Sequence, residues 1–217
     1  MKKILGVTFA VSVAILVLAG PSVVHAEGST KSEWDILRAG NQRFVSGNVN
    51  HPHQQIEYRE SLAAGQHPSA VVLTCSDSRV SPELIFDQGL GDLFVIRTAG
   101  NVVDAIGVGS IEYAVEHLHT ELVVVMGHEK CGAVTATLEG GNAQGGIKAI
   151  VDQIRTHLAE ENVTTTDNVT LGVDANVKAV VRQLSTSEPV LKEKVANGLK
   201  IVGARYNLAT GIVEEVQ

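Results

Sequence analysis

Cysteine is scarce in this chain: its 217 residues include only Cys75 and Cys131. A structural zinc site normally commits four protein ligands, and without a third cysteine such a site is poorly supplied. Basic clusters are missing too. Lys and Arg number 17 against 24 Asp and Glu, a formal net charge of −7. With no Lys/Arg run, nucleic acid is not expected as a partner, because that affinity rests on clustered cations. The pair Gly107 and Gly109 lacks the third glycine of a dinucleotide fingerprint and falls inside a helical pattern. Three residues separate Cys75 from Arg79, too few for a loop that wraps a phosphate, so a cysteine phosphatase is set aside. No internal repeat and no long linker is visible.

A long apolar run stands at the amino terminus. Lys2 and Lys3 precede an apolar core over Ile4–Ala19, and Val24-His25-Ala26 has the form of an export cleavage site. The run is short for a membrane span and has no stop-transfer flank. Residues 1–26 are therefore expected to be a cleaved signal peptide. Residues 27–217 are expected to form a single domain, periplasmic or extracellular, with no membrane attachment after cleavage. About 190 residues suffice for one full-sized core. Export raises a competing expectation, since two cysteines in an oxidising compartment usually form one disulfide. Asn162 and Asn168 each head an Asn-Val-Thr triplet, but the short Lys-Lys leader is of bacterial type and glycosylation is not expected.

Thr30-Lys-Ser-Glu33 has the form of a capping box opening a helix through Val45, with Trp34, Leu37 and Phe44 spaced along it. A polar loop and a second short helix ending near Gly65 follow. Strands at 70–74, 93–97 and 121–126 then alternate with helices at 82–86, 104–118 and 132–138. Helical segments at 147–160, 167–185 and 188–198 lead to strands at 199–204 and 212–216, the last an edge. Unbroken Val/Leu/Ile runs need cover on both faces, which predicts an α/β fold with a mostly parallel sheet. Such sheets bind ligands beyond the carboxyl ends of their strands.

Both cysteines fall at such ends. VVLTCSDSRV (71–80) carries Cys75. LVVVMGHEKCGA (122–133) carries His128 and Cys131, with Gly127 read as the turn out of the strand. Two thiolates and an imidazole are donors zinc prefers, and three protein ligands leave a fourth tetrahedral position for water or another side chain. Asp77 is the candidate for that position, or for an acceptor beside the water. Arg79 can hold Asp77 off the metal through a bidentate grip. Such a centre yields a hydroxide near neutral pH that attacks an electrophilic carbon. On these residues alone a Cys75–Cys131 disulfide remains the alternative. The other histidines, at 51, 53, 67, 117, 119 and 157, are expected on the surface.

Cys75-Ser-Asp-Ser-Arg79 followed by Gly127-His128-x-x-Cys131-Gly132 resembles the zinc signature of the β-class carbonic anhydrases. The resemblance continues through Asp92–Asn101 (DLFVIRTAGN), Gly109–Ala114 (GSIEYA), Val202–Tyr206 (VGARY) and Gly211, across residues 31–216. It implies a four- or five-stranded, mainly parallel sheet flanked by helices. It also implies an N-terminal helical arm, fitted by Thr30–Val45, that embraces a partner subunit in a homodimer or dimer of dimers. It implies one Zn²⁺ per subunit on Cys75, His128 and Cys131. Asp77 would ligate zinc in a closed form only and, paired with Arg79, would accept a hydrogen bond from bound water in an open form. The Gly132 N–H would orient substrate.

The reaction implied is reversible hydration of CO₂ to bicarbonate and a proton via zinc-bound hydroxide. A second, inhibitory bicarbonate pocket is matched at Arg97 and Tyr206, but its tryptophan position is Val72. Arg97 and Tyr206 are therefore expected as interface or core polar groups, and any pH switch is expected to run through Asp77. Two other readings compete: a zinc hydrolase of carbonyl sulfide or carbon disulfide on the same fold, and a non-enzymatic, disulfide-bonded exported protein.

Overall fold

A strand that is apolar at nearly every position leaves no face for water. Strands β1 (Ala70–Cys75) and β3 (Leu122–His128) are of this kind and are buried along their whole length. The structure, a computed structural model, describes residues 31–140, 142–164 and 168–217. The leader read at 1–26 and Thr30 of the expected capping box lie outside the described residues. With β2 (Leu93–Thr98), β4 (Lys200–Tyr206) and β5 (Val213–Glu215), the two buried strands form a five-stranded sheet of order β2-β1-β3-β4-β5. All pairings are parallel except that of β5, which runs antiparallel at the edge.

Successive side chains on a strand point to opposite faces, so each central strand feeds two cores. Helices α1 (Glu33–Ser46) and α3 (Pro82–Ile85) cover one face, where Ala70, Val72, Leu122, Val124 and Met126 meet Trp34, Leu37 and Ile85. Between these helices, α2 (Ile56–Ser61) buries no residue. On the other face Val71, Leu73, Val123 and Val125 lie under α4 (Ala105–His117), α5 (Gly132–Leu138), α6 (Gly145–Glu160), α7 (Val169–Ser185) and α8 (Val190–Ala196). No helix among the described residues is long and apolar enough to cross a membrane.

From β1 the chain crosses to β2 on one side, then returns to β3 on the other. The crevice between the carboxyl ends of β1 and β3 is thus the topological switch point, where open α/β sheets bind ligands. Cys75 ends β1 and His128 ends β3.

Two local expectations change. The cap of α1 is Ser32, not Thr30: its hydroxyl accepts from the Asp35 N–H while the Asp35 carboxylate accepts from the Ser32 N–H. Strand β3 also runs straight through Gly127 instead of turning there. Packing explains that glycine, because a Cβ would lie 2.8 Å from the side chains of both Val173 and Val177. Its absence lets α7 press onto β3. Helix α1 lies against its own chain, where the buried Asn41 amide donates to the carbonyls of Ile85 (3.1 Å) and Gly211 (2.8 Å) and accepts from the Val213 N–H (2.9 Å).

Asp87, buried just beyond α3, fastens the loop after α1. It accepts from the N–H groups of Asn50 and His51 at 3.0–3.1 Å and from the Arg43 guanidinium. Burial pushes its pKa up, but the Asn50 N–H, Arg43 and the His51 N–H together outweigh burial and hold the carboxyl below its ordinary 3.8. A folded pKa below the unfolded one contributes stability that is complete above the ordinary carboxylate range and lost as pH falls through the folded value. Asp87→Asn is therefore expected to cost about 1–3 kcal/mol at neutral pH and to flatten the acid limb of the stability curve. Urea midpoints at neutral and acid pH test this; parallel declines in both proteins would remove Asp87 from the acid limb.

Candidate metal centre

The donor atoms of Cys75, His128 and Cys131 lie within 4.8 Å of one another, and all three residues are buried. Both cysteines are free thiols, so the disulfide reading is not borne out. Cys75 and His128 arrive on adjacent parallel strands, and Cys131 is the N-cap of α5. Between the last two, Lys130 adopts φ +52°, which folds the short link back on itself.

His128 shows whether a metal fits. Its Nδ1 is 2.8 Å from the Glu129 carbonyl oxygen. A carbonyl only accepts, so Nδ1 carries a proton and, in the neutral ring, Nε2 presents its lone pair. That Nε2 is buried without a hydrogen-bond partner, which costs free energy unless another group satisfies it. A cation among the three donors is such a group, and an imidazole held through its second nitrogen is the usual form of a metal-bound histidine.

The sulfurs agree. A hydrogen bond from the Cys131 thiol holds the pKa of Cys75 well below the ordinary thiol value; burial opposes this, and His128 with the Gly100 N–H adds to it. The same neighbour, together with burial, pushes Cys131 up. Ionising one sulfur therefore opposes ionising the other, and holding both as thiolates calls for positive charge between them. Burial lowers His128, but the Cys75 sulfur outweighs burial and the net direction is up. Two thiolates and one imidazole suit zinc.

Asp77 stands beside this set without joining it, its Oδ2 3.8 Å from His128 Nε2. Arg79 holds it in a fork, with Nε at 2.9 Å from Oδ1 and Nη2 at 2.7 Å from Oδ2, and the Arg79 main-chain N–H donates to Oδ1 at 2.9 Å. The Arg79 side chain, against some desolvation, keeps the Asp77 carboxyl far below the usual carboxylate range. Gly132 opens α5 and faces open space where a Cβ would sit. Arg97 braces the end of β1, donating to the carbonyls of Cys75 (3.1 Å) and Asp77 (2.6 Å). Tyr206 lies in the core beneath α1, as does Val72.

Sequence reasoning missed a second layer. The Gly100 N–H donates to Cys75 Sγ at 3.3 Å, and the Gly100 carbonyl is itself held by Asn176. His157, expected on the surface, is buried and bonded to Asn176. The signal was available: Val151, Ile154 and Leu158 mark the inward face of α6, and His157 falls on it.

Fold and site together define an open α/β protein with a candidate catalytic metal centre at its switch point. Comparison with known proteins agrees. Residues 70–213 match the family model described as carbonic anhydrase. Carbonic anhydrase 2 of Mycobacterium tuberculosis is 43% identical over 183 residues, which is 82% of this chain and 88% of that protein. The carbonic anhydrase of Mycolicibacterium smegmatis is 45% identical over 186 residues, 83% of this chain and 90% of that protein. Among solved structures, a β-carbonic anhydrase from Sordaria macrospora, described as tetrameric, superposes with a TM-score of 0.68 at 29% identity, covering 82% of this chain and 93% of that one. The Coccomyxa β-carbonic anhydrase gives 0.63 at 28% identity, with 72% and 75% covered. The chain belongs to the carbonic anhydrase family, in its β class, and is an enzyme of CO₂ hydration.

Proposed function

We propose that the hydration of CO₂ to bicarbonate and a proton runs on one zinc ion per chain, held by Cys75, His128 and Cys131. The observation that carries this is the buried, unpartnered Nε2 of His128 beside two free thiols. When bound there, zinc supplies the Lewis acidity that makes water a nucleophile near neutral pH. Asp77 does the orienting. Held ionised by Arg79, it can only accept hydrogen bonds, so a water at the centre points an O–H at it and turns a lone pair elsewhere. A carboxylate so acidic is a poor base, so Asp77 positions the water and does not carry its proton away. The Gly132 N–H, at the start of α5, is assigned the orienting of substrate oxygen. Asp77 is also assigned the role of alternative ligand in a closed form, released by pairing with Arg79.

The test is zinc content together with stopped-flow CO₂ hydration, from mildly acid to alkaline pH. One zinc per chain with rapid turnover is expected. Zinc-loaded protein inert towards CO₂ would turn the reading towards carbonyl sulfide and carbon disulfide. We further infer a homo-oligomer, a dimer or dimer of dimers, since Ile106, Ile147, Ile56 and Leu84 are all more than half exposed. Sedimentation showing only monomer at micromolar concentration would refute it. The leader at 1–26 supports export to the periplasm or beyond.

A further inference from the structure

Cys75 Sγ accepts a hydrogen bond from one main-chain donor in a turn, the Gly100 N–H at 3.3 Å. That turn has an unusual shape. Gly100 sits at φ +69°, and a Cβ there would come within 2.8 Å of Ile154 and 3.1 Å of Ala133. Its carbonyl, on the far side of the same residue, accepts from Asn176 Nδ2 at 2.8 Å. Because that carbonyl can only accept, the Asn176 amide has one possible orientation, with Oδ1 turned to α6. There Oδ1 meets His157 Nδ1 at 2.7 Å, and since an amide oxygen accepts, Nδ1 donates. Asn176 is fully buried and His157 is 6% exposed. The His157 ring borders the surface groove between α6 and α7.

We propose that Asn176, oriented by His157, is a positioning residue for the metal centre, acting through the Gly100 turn on the sulfur of Cys75. The alternative, a polar pair that merely fills the space between α6 and α7, leaves one fact unexplained. The buried amide spends its only donor group on the residue whose N–H faces the metal-binding sulfur. Hydrogen bonds to a thiolate stabilise its charge and fix its direction, and partners of this outer kind typically govern metal affinity about 10- to 100-fold. The inference rests on reading Cys75, His128 and Cys131 as the zinc site.

Purified full-length chain and the variants Asn176→Leu, His157→Ala and His157→Asn decide it. Zinc retention is measured by competition with a chelator, and the cobalt(II)-substituted proteins are examined for the thiolate-to-cobalt charge-transfer band. Asn176→Leu is expected to weaken zinc retention about 10- to 100-fold and to move the band to lower energy, as a thiolate that loses a donor becomes more electron-rich. His157→Ala moves both in the same direction by less. His157→Asn, whose amide can replace the Nδ1–H, stays near wild type. A simple loss of packing would lower thermal stability without moving the band. Should Asn176→Leu not fold, the two His157 variants carry the decision. Unchanged zinc retention and band position in His157→Ala, or no recovery in His157→Asn, overturns the inference. Wild-type chain that takes up no zinc overturns instead the reading of the site on which it rests.

Discussion

Cys75→Ser is expected to leave the fold standing, strip the centre of zinc and cut CO₂ hydration by about a thousandfold or more. At 1.36 kcal/mol per decade, that is roughly 4 kcal/mol of transition-state stabilisation. The reason is chemical rather than steric. Serine is smaller than cysteine and fits a site that is already buried, but its hydroxyl does not ionise near neutral pH. The centre then has one sulfur and one imidazole, short of the three protein ligands a catalytic zinc site needs. The change reaches further than one ligand. Cys75 and Cys131 engage each other's sulfurs, and with Cys75 gone the remaining thiol is buried without that neighbour. Zinc analysis, circular dichroism and stopped-flow hydration on the same preparation separate the possible outcomes. A folded Cys75→Ser protein that keeps a full complement of zinc and wild-type turnover would sink the assignment of the metal centre.

Much of this centre was legible in the sequence because its parts lie where strands end. The runs 70–74 and 122–126 are apolar at nearly every position, which identifies buried parallel strands, and open sheets present ligands at one end of such strands. Cys75, Asp77, Arg79, His128 and Cys131 could thus be grouped although Cys75 and His128 are 53 positions apart. The misread Gly127 shows the limit of local rules. Glycine at a strand end suggests a turn, yet its use is to admit Val173 and Val177 from a helix that begins more than forty residues later. The link from Asn176 to Gly100 is harder still, spanning 76 positions with no periodic signal to announce it. Long-range polar contacts depend on how α6 and α7 dock, and no single-chain pattern encodes that docking. His157 was partly recoverable, since helical spacing places it on the inward face of α6.

The pair formed by Asp77 and Arg79 leads to the second large effect. Arg79→Ala is expected to lower CO₂ hydration about 100-fold, ~2.7 kcal/mol by the same conversion, while zinc content stays full. In the wild-type arrangement three donors from Arg79 hold the Asp77 carboxylate: the main-chain N–H, Nε and Nη2. Only the main-chain contact survives the substitution. Released from the fork, a carboxylate already 3.8 Å from His128 Nε2 is free to swing into the donor set and compete with water for its open position. Arg79→Lys is expected to restore little, because an ammonium offers a single point of attraction where the guanidinium closes on both oxygens. The cause can be isolated by adding Asp77→Asn to Arg79→Ala. An amide is a poor metal ligand, so the double variant should turn over faster than Arg79→Ala alone, although it lacks two side chains of the site instead of one. If the losses simply multiply, Arg79 acts by some route other than restraining Asp77. If the double variant recovers, the guanidinium keeps the centre open by holding the one side chain able to close it.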